Sequence, residues 1–169
     1  MRDAASFDDF YRSTSLRMLR YGYAVSGDRL EGQDLVQEAY TRAWRSWGSL
    51  VAHPSPEAWV RVVVARLAAD RWRRLRAGRA ALRRLGPPGD VRPPGEETVL
   101  LMGALRRLPT PYRRALALHY LFDLSVAEIA VETGAAPGTV KSWLARGRAR
   151  LAELLPASLD ATEEVTDVY

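Results

Sequence analysis

Arginine and tryptophan alternate through one stretch of this chain. Arg61, Arg66, Arg71, Arg73, Arg74, Arg76, Arg79, Arg83 and Arg84 are offset there only by Asp70, and Trp59 and Trp72 lie among them. The chemistry such a stretch offers is capture of a polyanion. Guanidinium groups reach phosphates, and indole rings stack on unpaired bases. A solvated helix end has a similar charge pattern, and this stretch alone leaves both readings open. A second basic stretch, PGTVKSWLARGRAR, occupies residues 137–150. Read as a helix, it turns Val140 and Leu144 inward and projects Gly138, Thr139, Lys141, Ser142 and Arg146 outward, followed by Arg148 and Arg150. Small and basic residues in the first turns let a helix enter a DNA groove N-terminus first, while the later arginines meet phosphates. An antiparallel helical hairpin with solvated arginines is the plainer account of the same residues.

A third charged surface belongs to DLVQEAYTRAWRSW, residues 34–47. Leu35, Val36, Ala39, Tyr40, Ala43, Trp44 and Trp47 recur at helical spacing and form an apolar stripe. Asp34, Gln37, Glu38, Thr41, Arg42 and Arg45 fall on the other side. Acids come early and arginines late, which suits the helix dipole, and Glu38 with Arg42 is a favourable pair one turn apart. The helix is either an ordinary amphipathic surface element or a docking face.

Other chemistries are excluded or poorly supported. With no cysteine, disulfides, thiol nucleophiles and Cys-based zinc sites are ruled out. His53 and His119 lie far apart in unrelated contexts and read as structural or surface residues. There is no metal-ligand cluster and no phosphate-cradling glycine loop, so an enzyme is not expected, nor any cofactor. The net charge is +5 with a pI near 10.0, and Lys141 is the only lysine among 25 basic residues. Arginine makes bidentate phosphate and base contacts, which suits a nucleic-acid partner. Genome base composition explains the choice of arginine over lysine, but not where the arginines cluster. The N-terminal MRDAASFDDFYR lacks an apolar signal core, and no apolar run approaches the roughly 20 residues of a membrane span. A soluble cytoplasmic protein is expected.

These residues need helices to position them. The 169 residues suit one domain or two small ones. Ser6 to Asp9 has the form of a capping box opening a helix through about Ala24, buried through Phe7, Phe10, Tyr11, Leu16, Leu19 and Tyr23. Ser26, Gly27 and Asp28 signal a turn. The next helix, carrying residues 34–47, starts near Arg29, and Gly32 weakens its first turns by roughly 1 kcal/mol relative to alanine. Gly48 to Pro54 reads as a loop. Ser55, Pro56 and Glu57 open a third helix running to about Ala77, with Ala58, Trp59, Val62, Val63, Leu67 and Ala68 on its apolar side.

GPPGDVRPPG at 86–95 holds four prolines and three glycines and reads as a linker. Beyond it, Glu96 to Leu108 returns to helical spacing through Val99, Leu100, Met102 (or Gly103) and Leu105. Pro109 ends that helix, and Thr110 with Pro111 caps another through Ala115, Leu116, Leu118, Tyr120 and Leu121. Ser125 to Glu128 is a capping box for a short helix with Ile129 and Ala130 inward, and Thr133-Gly134 is a tight turn before Pro137. Pro156 stops the last helix. The tail holds Asp160, Glu163, Glu164 and Asp167 and no basic residue, and reads as a solubilising end or a segment that folds back on a basic surface. The expected fold is all-α, an N-terminal helical bundle and a C-terminal helix-turn-helix domain joined by a Pro/Gly-rich linker. The divisions are 1–77, 78–95, 96–155 and the tail 156–169.

DLVQEAYTRAW at 34–44, AADRWRR at 68–74 and SVAEIAVETGAAPGTVKSWLARGRARL at 125–151, in that order around a Pro/Gly linker, resemble a bacterial RNA polymerase sigma factor of the extracytoplasmic-function class. The resemblance runs from about Phe7 to Leu155. It implies that Asp34, Gln37, Glu38 and Arg42 bind core RNA polymerase. It implies that residues 48–54 help trap a flipped base, and that Trp59, Arg66, Asp70, Arg71, Arg73 and Arg74 hold −10 promoter DNA. It implies that Gly138, Thr139, Lys141, Ser142 and Arg146 face the −35 element. An anti-sigma factor is a partner the resemblance admits, although nothing in the sequence identifies one. Three positions depart from the family's usual pattern: Arg66 where asparagine is common, Ala136 in place of an N-cap serine, and Trp143 where arginine is common. The runner-up is a stand-alone helix-turn-helix regulator, which leaves the first half of the chain without a role.

Overall fold

The computed structural model of the chain describes residues 3–78 and 95–157, which fall in two compact units. Arg79, Arg83, Arg84, the linker before Gly95 and the acidic residues of the tail lie outside the described residues. The described residues form helices and no strand. In the first unit these are α1 (Ala4–Ser26), α2 (Arg29–Arg45), α3 (Trp47–Leu50) and α4 (Pro56–Arg76); in the second, α5 (Glu96–Arg106), α6 (Thr110–Phe122), α7 (Val126–Thr133) and α8 (Pro137–Leu154).

α1 starts three residues before the capping box that Ser6 and Asp9 suggest. Asp3 is the cap, its carboxylate accepting from the amides of Ala5 and Ser6 at 3.1 and 3.3 Å. A carboxylate there satisfies two first-turn donors, leaving the Ser6 hydroxyl to donate to the Asp3 carbonyl and accept the Trp47 indole N–H at 2.8 Å. Gly27, at φ 72°, closes the helix in the left-handed region. The buried face also differs from expectation. Thr14, Met18, Tyr21 and Val25 face inward, while Leu16 is 62% exposed and Tyr11 is exposed. Phe7 and Phe10 are half-buried and join Trp44, Trp47, Tyr11 and Tyr40 in an aromatic cluster, with Phe10 stacked on Trp47 at 5.0 Å and Tyr11 edge-on to Tyr40 at 4.9 Å. Within it the Tyr40 hydroxyl bonds Thr14 Oγ1 at 2.7 Å. Burial pushes the phenol up to about 12, with the Thr14 bond acting in the opposite direction.

α2 follows the expected pattern. Asp28 caps it, Leu35, Val36, Ala39, Tyr40 and Ala43 are buried, and Asp34, Gln37, Glu38, Thr41, Arg42 and Arg45 are exposed. Gly32 is more than a weak point in this helix. A Cβ there would sit 2.7 Å from the Gly22 carbonyl carbon and 2.8 Å from the Tyr23 nitrogen; one at Gly22 would sit 2.8 Å from the Gly32 oxygen. The two glycines let α1 and α2 touch backbone to backbone. The stretch expected to be a loop from Gly48 begins helically: α3 buries Trp47 and Leu50, and the irregular connection is confined to residues 51–55.

α4 has the expected Ser55 cap and Pro56 start. Its most buried residues are Val60, Arg61 and Val64, not the apolar set expected from spacing; Ala58, Trp59, Val62, Val63, Leu67 and Ala68 are half-buried. The helix packs on both α1 and α2, so the core stripe lies between two flanking contacts. Arg61 is 5% exposed and so does not belong to the exposed basic cluster. Arg17 with Glu57 (2.7 Å) ties α1 to α4, and Glu31 with Arg71 (4.0 Å) ties α2 to its other end.

In the second unit, α6 is the buried centre, through Ala115, Leu116, Ala117 and Leu118. Ala104 and Leu108 are buried beside it, whereas Val99 and Leu100 stay exposed. Thr110 is the first residue of α6, not its cap; its hydroxyl accepts from Arg113, which also donates to the Leu108 carbonyl and closes the α5–α6 turn. His119 Nδ1 meets the Leu124 carbonyl at 2.9 Å, and His53 Nδ1 accepts from the Ser55 amide at 3.0 Å. The Ser125–Glu128 capping box is complete, Ile129 and Ala130 are buried, and Gly134 takes φ 74°. α8 starts at Pro137 with no side-chain cap on Ala136. Gly147 admits Leu116 so closely that a Cβ would meet its Cδ1 at 2.9 Å.

Candidate nucleic-acid interface

The exposed face of α2 is held from both ends. The aromatic cluster anchors its C-terminal half, and the Gly22–Gly32 contact fixes its first turns against α1. Asp34, Gln37, Glu38 and Arg42 therefore project from a rigid support. Glu38 and Arg42 pair at 2.8 Å, both about half exposed. Such an exposed pair contributes well under 1 kcal/mol and can be exchanged for partner contacts at little cost.

A groove of about 430 Å³ lies between α2 and α4. Arg42 and Arg45 line it from α2 and Ser46 from that helix's C-cap; Trp59, Val63, Arg66, Leu67 and Asp70 line it from α4. The α4 residues recur at intervals of three and four and so form one stripe along the helix. The structure thus brings Trp59, Arg66 and Asp70 together in one groove. It adds Arg45 and Ser46, which sequence reasoning left without a role. Their signal was present, because positions 42, 45 and 46 share one strip of a helix, but a groove between elements is visible only once both are placed.

Other residues of the basic stretch divide differently. Asp70 accepts a short hydrogen bond from Arg73, and its backbone carbonyl accepts from Arg74 Nε at 3.4 Å. Asp70 thus holds two exposed arginines at the edge of the groove. Arg71 does not line the groove; it turns towards Glu31. Trp72 is 59% exposed with the Arg76 guanidinium 5.9 Å from its ring centre, and it does not line the groove either.

On α8, Val140, Leu144 and Gly147 are buried, and Gly138, Thr139, Lys141, Ser142, Arg146, Arg148 and Arg150 are all exposed. Trp143 is half-buried at the boundary. α7, the Gly134 turn and α8 form a helix-turn-helix in which the exposed residues cover the outer face of the second helix. No group of metal-binding side chains exists among the described residues, and no described helix is long and apolar enough to cross a membrane.

Both units match known families. Residues 10–78 match the model described as Sigma-70 region 2, and residues 98–151 match Sigma-70, region 4. The chain is 33% identical over 154 residues to the ECF RNA polymerase sigma factor SigM of Mycobacterium tuberculosis, covering 90% of this chain and 79% of that protein. It is 29% identical to the RNA polymerase sigma-E factor of Streptomyces coelicolor over 95% of this chain and 93% of the relative. Two solved structures share the fold. The sigma factor RpoE from Bartonella quintana, in complex with the anti-sigma factor NepR, gives a TM-score of 0.68 at 24% identity over 86% of this chain and 96% of that one. CnrH, in complex with the cytosolic domain of CnrY, gives 0.61 at 19% identity over 94% and 90%. A stand-alone helix-turn-helix regulator would account for the second of the two family matches and not the first. The chain belongs to the ECF RNA polymerase sigma factors, transcription initiation factors that bind core RNA polymerase and promoter DNA.

Proposed function

We propose that the two units divide the promoter between them. The first unit docks on core RNA polymerase through Asp34, Gln37, Glu38 and Arg42. It holds the opened −10 element through Trp59, Arg66, Asp70, Arg71, Arg73 and Arg74, with Asp70 positioning Arg73 and Arg74. Residues 48–54, next to α4, help trap an unpaired base. The second unit reads the −35 element through Gly138, Thr139, Lys141, Ser142 and Arg146. The Pro/Gly-rich linker lets each unit reach its own element once polymerase holds both. The chain acts in the cytoplasm as a stoichiometric binding factor without turnover. Captured bases and polymerase contacts offset the lost stacking, so opening needs no ATP. An anti-sigma factor is a further partner, in keeping with the complex known for RpoE.

The observation that supports this reading most directly is the exposed face of α2. A charged helix face on a rigid base, in the unit that lacks the helix-turn-helix, suits a partner other than duplex DNA. The test is co-elution with core RNA polymerase, comparing the wild type with a variant in which Asp34, Gln37 and Glu38 are alanine. Wild-type co-elution that is lost in the variant, with unchanged melting, is expected. Specific duplex binding without polymerase, and no co-elution from a folded protein free of inhibitor, would overturn the reading in favour of a stand-alone regulator.

A further inference from the structure

The charged side chains of the α2–α4 groove fall into two classes. Arg42 is bound by Glu38, and the Asp70 carboxylate is taken up by Arg73. Arg45 and Arg66 have neither a hydrogen bond nor an ion pair among the described residues. Both are exposed, and they line the groove from opposite walls, Arg45 from α2 and Arg66 from α4. Between the same walls lie the Trp59 ring and the apolar side chains of Val63 and Leu67. Two guanidinium groups without a counter-ion, beside an aromatic face, match a phosphate and its neighbouring base.

We propose that Arg45 and Arg66 together clamp one phosphate of the unpaired promoter strand, with the adjoining base against Trp59. The proposal rests on the −10 assignment of this groove and goes beyond it in two respects. Arg45, on the helix assigned to polymerase, becomes a strand-binding residue. Arg66, where the family commonly has asparagine, contributes backbone attraction instead of reading a base edge, so the strand is held at that nucleotide with little discrimination among bases. An acidic protein segment would satisfy the charge as well. The strand is favoured because Asp70, which lines the groove, also binds the exposed Arg73 and Arg74 on α4, and because stacking on Trp59 uses the aromatic lining that a carboxylate leaves idle.

The test uses holoenzyme, the full chain reconstituted with core RNA polymerase. A randomised single-stranded DNA pool is selected for binding, and the enriched strand, fluorescently labelled, becomes the probe. Wild type and Arg45→Ala are titrated with it over a range of salt concentrations. The probe is also made with single methylphosphonate linkages, each removing one phosphate charge. Arg45→Ala is expected to bind about tenfold more weakly, and its log-log salt slope is expected to fall by a part of about 0.7, the value for one phosphate on a single strand, because Arg66 remains. One methylphosphonate position should weaken wild-type binding and weaken Arg45→Ala, which keeps Arg66, distinctly less, and base identity beside it should be relaxed in the enriched pool. The variant should melt like the wild type and still co-elute with polymerase, because Arg45 has no partner to lose among the described residues. A strand that enriches but is bound by Arg45→Ala with the wild-type slope overturns the clamp alone. Loss of polymerase co-elution in Arg45→Ala overturns it in favour of a protein contact. If no strand enriches with wild-type holoenzyme, the −10 reading falls and the clamp falls with it.

Discussion

Replacing Gly32 with alanine should destabilise the first unit, although the same change in most helices stabilises. Alanine is about 1 kcal/mol better than glycine in a helix interior. At Gly32 the added methyl would meet the Gly22 carbonyl carbon and the Tyr23 ring carbon at 2.7 Å, and the Tyr23 nitrogen at 2.8 Å. Ordinary carbon contacts lie near 3.5–4.0 Å, and two of the three atoms are backbone that cannot rotate away. α1 and α2 must therefore separate by roughly 1 Å, loosening the packing of Tyr21, Val25 and Val36 around the contact. Overpacking of this kind costs about 1–3 kcal/mol and, with rigid backbone on both sides, the upper figure applies. After the propensity gain, a net loss of about 2 kcal/mol remains, or a fall in Tm of about 10 °C for a unit this small. Gly103→Ala in α5 is the control, because nothing lies within 4 Å of a Cβ there. It should stabilise the second unit by about 1 kcal/mol. Calorimetry and urea unfolding of both variants check the pair. A Gly32→Ala protein as stable as the wild type, or more so, would refute the argument from close backbone approach.

Two further outcomes follow from the caps and the core. Ala136→Ser should install the missing N-cap of α8, because Ala136 is already extended at φ −66° and ψ 146°; the second unit should gain about 1 kcal/mol, and an unchanged Tm would mean that the helix end is satisfied in another way. Tyr40→Phe should cost about 1 kcal/mol near neutrality by removing the bond to Thr14. Since the folded phenol titrates near 12 and the unfolded one near 10.0, the unfolded chain loses its proton first. The wild type should therefore lose stability between those values while the variant does not. Urea midpoints measured across that window should converge, and a constant difference would contradict the burial of the hydroxyl.

The two faces of α2 were legible from period alone, because its apolar and polar residues occupy separate halves of the helix. α4 was not legible in the same way. Apolar residues cover much of its circumference, and only contact with α1 and α2 selects Val60 and Val64 over Val62 and Val63. Arg61 shows the same limit, since no spacing rule distinguishes a buried arginine from its exposed neighbours. Local chemistry fared best where it is self-contained. The Ser125–Glu128 box and the Gly134 turn depend on adjacent residues and form as expected. At the N-terminus Asp3 caps the helix instead of the expected Ser6, whose hydroxyl accepts from Trp47, a residue 41 positions away. The outer face of α8 was readable because Val140 and Leu144 fix its rotation. The groove carrying Arg45 was not, because its walls come from two helices and neither wall alone predicts the other.

That shared wall limits how the chain can be recombined. A chimera that grafts only α4 onto a relative would transplant Trp59, Arg66 and Asp70 but leave Arg42, Arg45 and Ser46 to the recipient. The exchangeable unit is α4 together with the last turn of α2 and the α3 connection between them. Substitutions at the end of α2 and along α4 are accordingly expected to co-vary across lineages, even though they lie on separate helices.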